Sequence, residues 1–135
     1  MARASVLLGE PWTMLIIREV LFGVTRFDQI HANLDLPRSV LSKRLKHLID
    51  AGVLRKRDYR EVGQRPRQQY VLTAAGVDLA LPMIALMHWG SKHLINGNAS
   101  GEIVSRTSGE RLSIGAVAPD GEAVALPEIE FRRRA

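Results

Sequence analysis

Leu36-Pro-Arg-Ser-Val-Leu-Ser-Lys-Arg-Leu-Lys-His-Leu-Ile-Asp-Ala-Gly52 is the stretch whose reading decides the fold. Taken as a helix from Pro37 to Ala51, it sets Leu41, Leu45 and Leu48 on one face and Ser39, Lys43 and Lys46 on the opposite one, because side chains three and four apart stack along a helix. Half of the circumference belongs in a core and half carries cations into solvent. Pro37 is acceptable in a first turn, where its missing N–H would have no partner, and Gly52 suits the left-handed position that ends a helix. An ordinary solvated helix also presents a basic face, so the neighbouring segments decide between the two readings.

Charge is the first of them. Between Arg26 and Tyr70 stand eleven Lys/Arg and five Asp/Glu, whereas the rest of the 135 residues holds eight basic and nine acidic side chains. The whole positive excess lies in one third of the chain, which favours a polyanionic partner held by a localised footprint.

The flanking segments supply the rest. Trp12 to Phe22 reads as a helix with Trp12, Leu15, Ile16, Glu19 and Phe22 near one face, apolar enough to require burial on more than one side, and residues 5–8 add a short apolar turn before it. Arg26 to Leu34 reads as a shorter helix facing inward through Phe27, Ile30 and Leu34. Two short helices joined by Asn33-Leu-Asp-Leu36, the second one basic, have the order of a helix-turn-helix, although the turn lacks the glycine often found there. After Gly52 the period changes to that of strands, Val53–Tyr59 and Gln68–Thr73, around a loop carrying Arg60, Arg65 and Arg67. A basic hairpin directly after a basic helix is a wing, placed to reach phosphates or a minor groove.

Downstream, Thr73 is a helix cap, and Ala74 to Leu94 reads as one helix, apolar around most of its girth and bent at Pro82. Burying one face on its own domain and the other on a twin chain accounts for it. Trp12, Met83, Met87 and Trp89 read first as core or interface and second as the wall of a cleft for a small aromatic effector. Asn96–Gly101 is a linker, and short strands at 102–106, 111–117 and 123–126 form a small β extension too thin to stand alone, followed by a basic tail at Arg132–Arg134. The domains expected are 1–95 and 96–135.

Catalytic and metal chemistry find no constellation. There is no cysteine, His88 and His93 do not share a helical face, and the glycines do not form a phosphate-cradling loop. Ser39 and Ser42 near His47 lack an orienting third group and an oxyanion site, so neither an enzyme, a metal nor a cofactor is expected. No apolar run is long enough to span a bilayer and the start is too short before Gly9 for a signal peptide, which makes the cytoplasm the expected compartment.

The combination of stretches resembles the HxlR family of bacterial winged-helix transcriptional regulators, relatives of the MarR type. Gly9-Glu-Pro-Trp-Thr-Met-Leu is similar to its Gly-Lys-Trp-Thr first-helix motif, Arg26-Phe-Asp-Gln-Ile30 to its Arg-Phe-x-x-Leu, and Val40–Leu48 followed by Ala51-Gly-Val-Leu54 to its recognition helix. Arg65–Gly76 resembles the wing strand with the Tyr-x-Leu-Thr-x-x-Gly signature, and Leu81-Pro82 and Trp89 stand in their family places. The resemblance implies a homodimer built mainly from the first and last long helices, reading operator DNA. Glu10 departs from the usual Lys, and the Cys through which several relatives sense oxidants is absent. Ser108-Gly109 and Asp120-Gly121 stand where some relatives carry Cys-Gly pairs, which implies that any metal knuckle is lost.

The expected fold is thus mainly α with a β-hairpin wing, a winged helix-turn-helix plus a small C-terminal β extension. The DNA-binding residues expected are Arg38, Ser39, Ser42, Lys43, Arg44 and Lys46 on the helix and Arg65 and Arg67 on the wing, in each subunit of a dimer on a pseudo-palindromic operator. Arg44, nearer the helix side, is expected to bridge to a phosphate or an acidic neighbour. Trp12, Ile16, Ile84, Met87 and Trp89 are the expected dimer interface or effector cleft. The competing class is a protein-interaction module that docks the basic third on an acidic partner.

Overall fold

The structure, a computed structural model, describes residues 2–94 and 102–132, so the linker expected at 96–101 and the tail arginines Arg133 and Arg134 lie outside the described residues. Two compact units divide the chain, Met1–Met83 and Ile84–Ala135, a division earlier than the expected 95/96. The first unit runs α1 (Ala2–Leu8), α2 (Thr13–Leu21), α3 (Phe27–Leu34), α4 (Arg38–Asp50), β1 (Leu54–Tyr59), β2 (Arg67–Leu72), α5 (Ala74–Asp78) and the start of α6 (Ala80–His93).

The decisive stretch folds as its spacing predicts. Leu41, Leu45 and Leu48 of α4 are all buried and join Ile16, Ile17, Val20, Ile30, Leu34, Leu36, Val53, Leu54 and Met83 in one core. Burial of each such side chain contributes about 1.5–3 kcal/mol, which fixes which face of α4 is left outside. Gly52, at φ 73, ends the helix in the left-handed conformation, with its N–H on the Ile49 carbonyl (2.9 Å) and that of Val53 on the Leu48 carbonyl (2.9 Å). In the turn between α3 and α4 the residue with positive φ is Asp35 (φ 48), a short polar side chain that tolerates this region where glycine was missed.

The faces of α2 differ from expectation. Thr13, Ile16, Ile17 and Val20 make the buried stripe, and Trp12, Leu15 and Phe22 stay at the surface. Trp12 precedes the helix in a left-handed turn (φ 71, ψ −18), so the stripe is phased from Thr13. Glu19 is buried too, and its carboxylate accepts from Asn33 Nδ2 of α3 (2.7 Å) and from Arg18 Nη2 (2.8 Å). Burial alone would raise its pKa. The Asn33 and Arg18 hydrogen bonds and the Arg18 charge outweigh it and hold the carboxyl below its ordinary 4.5.

The hairpin is antiparallel, with Leu54 opposite Leu72 and Tyr59 opposite Arg67, and residues 60–66 connect the strands. Its base is locked by Thr73. The Thr73 N–H donates to the Val53 carbonyl (3.0 Å), its hydroxyl lies against the Gly52 and Val53 carbonyls, and Oγ1 accepts from the Gly76 N–H (3.1 Å). Gly76 is required for space: a β-carbon there would collide with the Val53 carbonyl oxygen and come within 2.9 Å of Leu72 Cδ2. The single helix expected from Ala74 to Leu94 is interrupted at Leu79, three residues before Pro82. A proline ring clashes with the carbonyl four residues back, here Asp78, so the helix ends at Asp78 and restarts with Pro82 in a first turn.

In the second unit the expected strands shrink. Val104 and Arg111 form a single bridge, β3 (Ala116–Val117) pairs with β4 (Ala123–Val124), and a 3₁₀ turn covers Leu126–Glu128. Side chains cap the turns between them: Ser105 Oγ accepts from the Ser108 N–H (3.1 Å) and Asp120 Oδ1 from that of Glu122 (3.0 Å). Phe131 lies outside these elements and is 96% exposed.

Leu45→Ala should lower unfolding stability by about 2–5 kcal/mol, and Gly76→Ala by about 1–3 kcal/mol through overpacking, both measured by urea denaturation. The Glu19 contribution is present above the ordinary carboxyl value and is lost as pH falls through the depressed one. Glu19→Gln should therefore flatten the acid limb of a stability–pH curve while lowering stability at neutral pH.

Candidate nucleic-acid interface

With its leucine face buried, α4 offers the opposite side to solvent, and Arg38, Ser39, Ser42, Lys43, Lys46 and His47 are exposed there. Several of these cations are already engaged. Arg38 pairs with Asp28 (3.0 Å) and lies over the Phe27 ring, 4.8 Å from its centroid, while Lys46 pairs with Asp50 (2.6 Å). Ser39, Ser42 and Lys43 form the part of the helix surface whose polar groups point outward without a carboxylate partner among the described residues.

Arg44 is turned away from this surface. Its side chain is 17% exposed and pairs with Glu10 in the connection between α1 and α2. Of the two partners expected for Arg44, the structure shows the acidic neighbour: Glu10, which stands in place of the Lys of the motif, so the pair ties α4 to the connection before α2. Its Nε is buried with no hydrogen-bond partner among the described residues.

Arg65 and Arg67 are exposed on the wing, as expected. The wing also carries cations that sequence reasoning left out. Arg55, Lys56, Arg57 and Asp58 of β1 are all exposed, so this strand buries neither face beyond Leu54. The signal was available, since Arg-Lys-Arg-Asp has none of the alternation that a half-buried strand shows. Among the described residues Lys43, Arg55, Lys56, Arg57, Arg60, Arg65 and Arg67 have no carboxylate within 4.0 Å. Arg57 instead donates to the Gln69 amide oxygen (3.0 and 3.1 Å), with the Gln69 nitrogen toward Thr25 Oγ1 (2.8 Å). Arg26 pairs with Glu61 (2.6 Å) and covers the Tyr59 ring at 4.5 Å, tying the far end of the hairpin to the start of α3.

Between α4 and the wing stem lies a cleft of about 540 Å³ lined by Ser42, Lys46, Ile49, Asp50, Arg55, Lys56 and Tyr70. The arrangement offers hydroxyl and ammonium donors on a helix narrow enough for a major groove, and guanidinium and ammonium groups on a hairpin beside it. Such groups can donate hydrogen bonds to base edges and phosphates.

Among the residues expected at an interface or effector cleft, Trp12 is 39% exposed in the first unit, whereas Ile16 has no exposed surface and belongs to the chain's own core. In the second unit Ile84 and Met87 are half-buried and Trp89 is exposed. No group of three His, Cys, Asp or Glu among the described residues could hold a metal ion, and none of the described helices is long and apolar enough to cross a membrane.

Comparison with known proteins agrees with this geometry. The sequence pattern of the HxlR-like helix-turn-helix family matches residues 7–98. The uncharacterized HTH-type transcriptional regulator Rv3095 of Mycobacterium tuberculosis (strain ATCC 25618 / H37Rv) is 45% identical over 92 residues, which are 68% of this chain. The chain spans 57% of that relative's length. YvaP of Bacillus subtilis (strain 168), likewise named an uncharacterized HTH-type transcriptional regulator, is 37% identical over 67% of this chain and 82% of its own. Among solved structures, PA1607, designated a candidate transcription factor, superposes with a TM-score of 0.81 at 28% identity over 98% of this chain and 93% of its own. The reduced form of the transcriptional regulator YodB from B. subtilis gives 0.60 at 26% identity, over 73% of this chain and 95% of its own.

Glu10→Gln should destabilise the fold by about 1 kcal/mol, the upper range for a partly exposed pair, and Glu10→Lys by more, because it sets two cations together. Thermal unfolding of Glu10→Lys with Arg44→Glu should recover most of that loss, the signature of a direct pair in a double-mutant cycle.

Proposed function

This chain belongs to the HxlR-like helix-turn-helix family, and from that premise we propose that it is a sequence-specific DNA-binding transcriptional regulator, acting in the cytoplasm as a homodimer on a pseudo-palindromic operator. The observation that carries the reading is the outward surface of α4, where Ser39, Ser42 and Lys43 stand exposed on a helix whose other face is locked in the core. Lys43 and Ser39 are the base-edge donors of this proposal, and Ser42, Arg38 and Lys46 face phosphates. Arg65 and Arg67 extend the contact along the backbone or minor groove from the wing.

Exposed apolar side chains support the dimer. Trp12, Met14, Leu15 and Phe22 on and around α2 are exposed, and so are Leu81, Leu86 and Trp89 on α6. Residues of this size gain by burial against a second copy, and two copies place two α4 helices on successive turns of one duplex.

The proposal is tested by fluorescence anisotropy against the promoter region beside the protein's own gene and against scrambled duplexes. Lys43→Ala should reduce the preference for the native promoter by about 1–3 kcal/mol per base pair read, whereas Arg65→Ala should weaken all duplexes alike and lower the salt slope by about 1. Equal affinity for native and scrambled DNA in the unmodified protein would overturn the reading.

A further inference from the structure

The cleft between α4 and β1 has one acidic group, Asp50, among Lys46, Arg55 and Lys56. Two features of Asp50 ask for a reason beyond stability. It is the last residue of α4, where a negative charge meets the negative end of the helix dipole. It also follows Lys46 by four residues, the less favourable order for an ion pair along a helix. Its bond to Lys46 is nonetheless short, 2.6 Å, with both side chains more than half exposed, so solvent and other anions have access to the pair.

Groove geometry supplies the reason, taking as its premise the DNA-reading surface proposed above. A major groove is separated from its neighbouring minor groove by a sugar–phosphate strand. A protein with α4 in the first and its wing in the second must straddle that strand, and the space between them is the α4–β1 cleft. We propose that this cleft is the saddle for one sugar–phosphate strand, with Ser42 and Lys46 on one wall and Arg55 and Lys56 on the other, and that Asp50 is a built-in phosphate surrogate. In the free protein its carboxylate occupies Lys46. A DNA phosphate must take Lys46 from Asp50, so a duplex that engages the saddle alone gains less than three bare cations would yield. Asp50 thereby lowers the sequence-independent part of the affinity, for random and promoter duplexes alike, by acting through Lys46, and leaves a larger share of binding to Ser39 and Lys43.

The test needs only the full chain and a random-sequence duplex. Asp50→Asn keeps the side-chain shape and removes the charge. It should tighten binding to random duplex ~3–10-fold near 0.1 M salt and steepen the salt slope toward the value of one more phosphate contact, about 0.9. The thermal midpoint should hold or rise, because the dipole conflict is relieved. In a Lys46→Ala background the same substitution should lose most of its effect on affinity. Arg55→Ala with Lys56→Ala should weaken random and promoter duplexes by the same factor and lower the slope by about 2. Unchanged or weaker random binding by Asp50→Asn overturns the surrogate, and an unchanged slope in the Arg55/Lys56 variant overturns the saddle. Saturable binding of inorganic phosphate to the free protein, lost in that variant, would make the cleft a free-anion site and overturn the saddle as well. Salt-dependent random binding with no preference for any promoter would defeat the parent reading and leave the saddle standing.

Discussion

The Val53 carbonyl oxygen is the point on which the placement of the hairpin beside α4 depends. It accepts the Thr73 N–H and lies beside the Thr73 hydroxyl, and it leaves no room for a side chain at Gly76. Three elements meet there: the end of α4, the foot of the hairpin and the first turn of α5. The leucine face sets the rotation of α4 about its axis. The Thr73 junction sets where the wing leaves it, and so the width of the space that the two enclose. The Tyr-x-Leu-Thr-x-x-Gly motif thus has a mechanical meaning in this chain, with Thr73 as the latch and Gly76 as the clearance.

What could be read from the sequence follows from how local each signal is. The spacing of Leu41, Leu45 and Leu48 and the stop at Gly52 are complete within seventeen residues, and α4 was legible almost to its ends. Apolar side chains fill so many positions of α2 that period alone does not choose the buried stripe. The left-handed turn at Trp12, which sets its phase, is not announced by a tryptophan. The interruption at Leu79 was missed because a proline acts on the carbonyl four residues before it and not at its own position. In the C-terminal unit the turn residues were read correctly as turns, and the Ser105 and Asp120 side chains cap backbone donors within them.

The candidate site was legible in its cations and not in their partners. Asp28 and Asp50 lie near enough in sequence to have been weighed, but Glu10 reaches Arg44 across more than thirty residues and only the fold brings them together. These carboxylates sort the basic residues by task. Arg44 serves the fold, Arg26 anchors the hairpin, and Lys43 and the cations of β1 and the wing have no carboxylate partner among the described residues. A count of positive charge locates such a surface, whereas the pairing pattern says how much of that charge is available.

The hairpin is clamped at both ends of its ladder. Leu54 and Thr73 hold the foot, the Tyr70 N–H bonds the Thr25 carbonyl at 2.8 Å, and Arg26 grips Tyr59 in the last pair and Glu61 beyond it. Local opening of the backbone costs least where neither burial nor cross-links oppose it, and the exposed arc from Val62 to Pro66 is held only at Gln64, by its bonds to Glu61 and Arg60. Amide protons should exchange fastest in that short arc and slowly in the stem. A hairpin partitioned in this way has a stiff frame that fixes the spacing of the side chains it carries and a brief, more compliant tip.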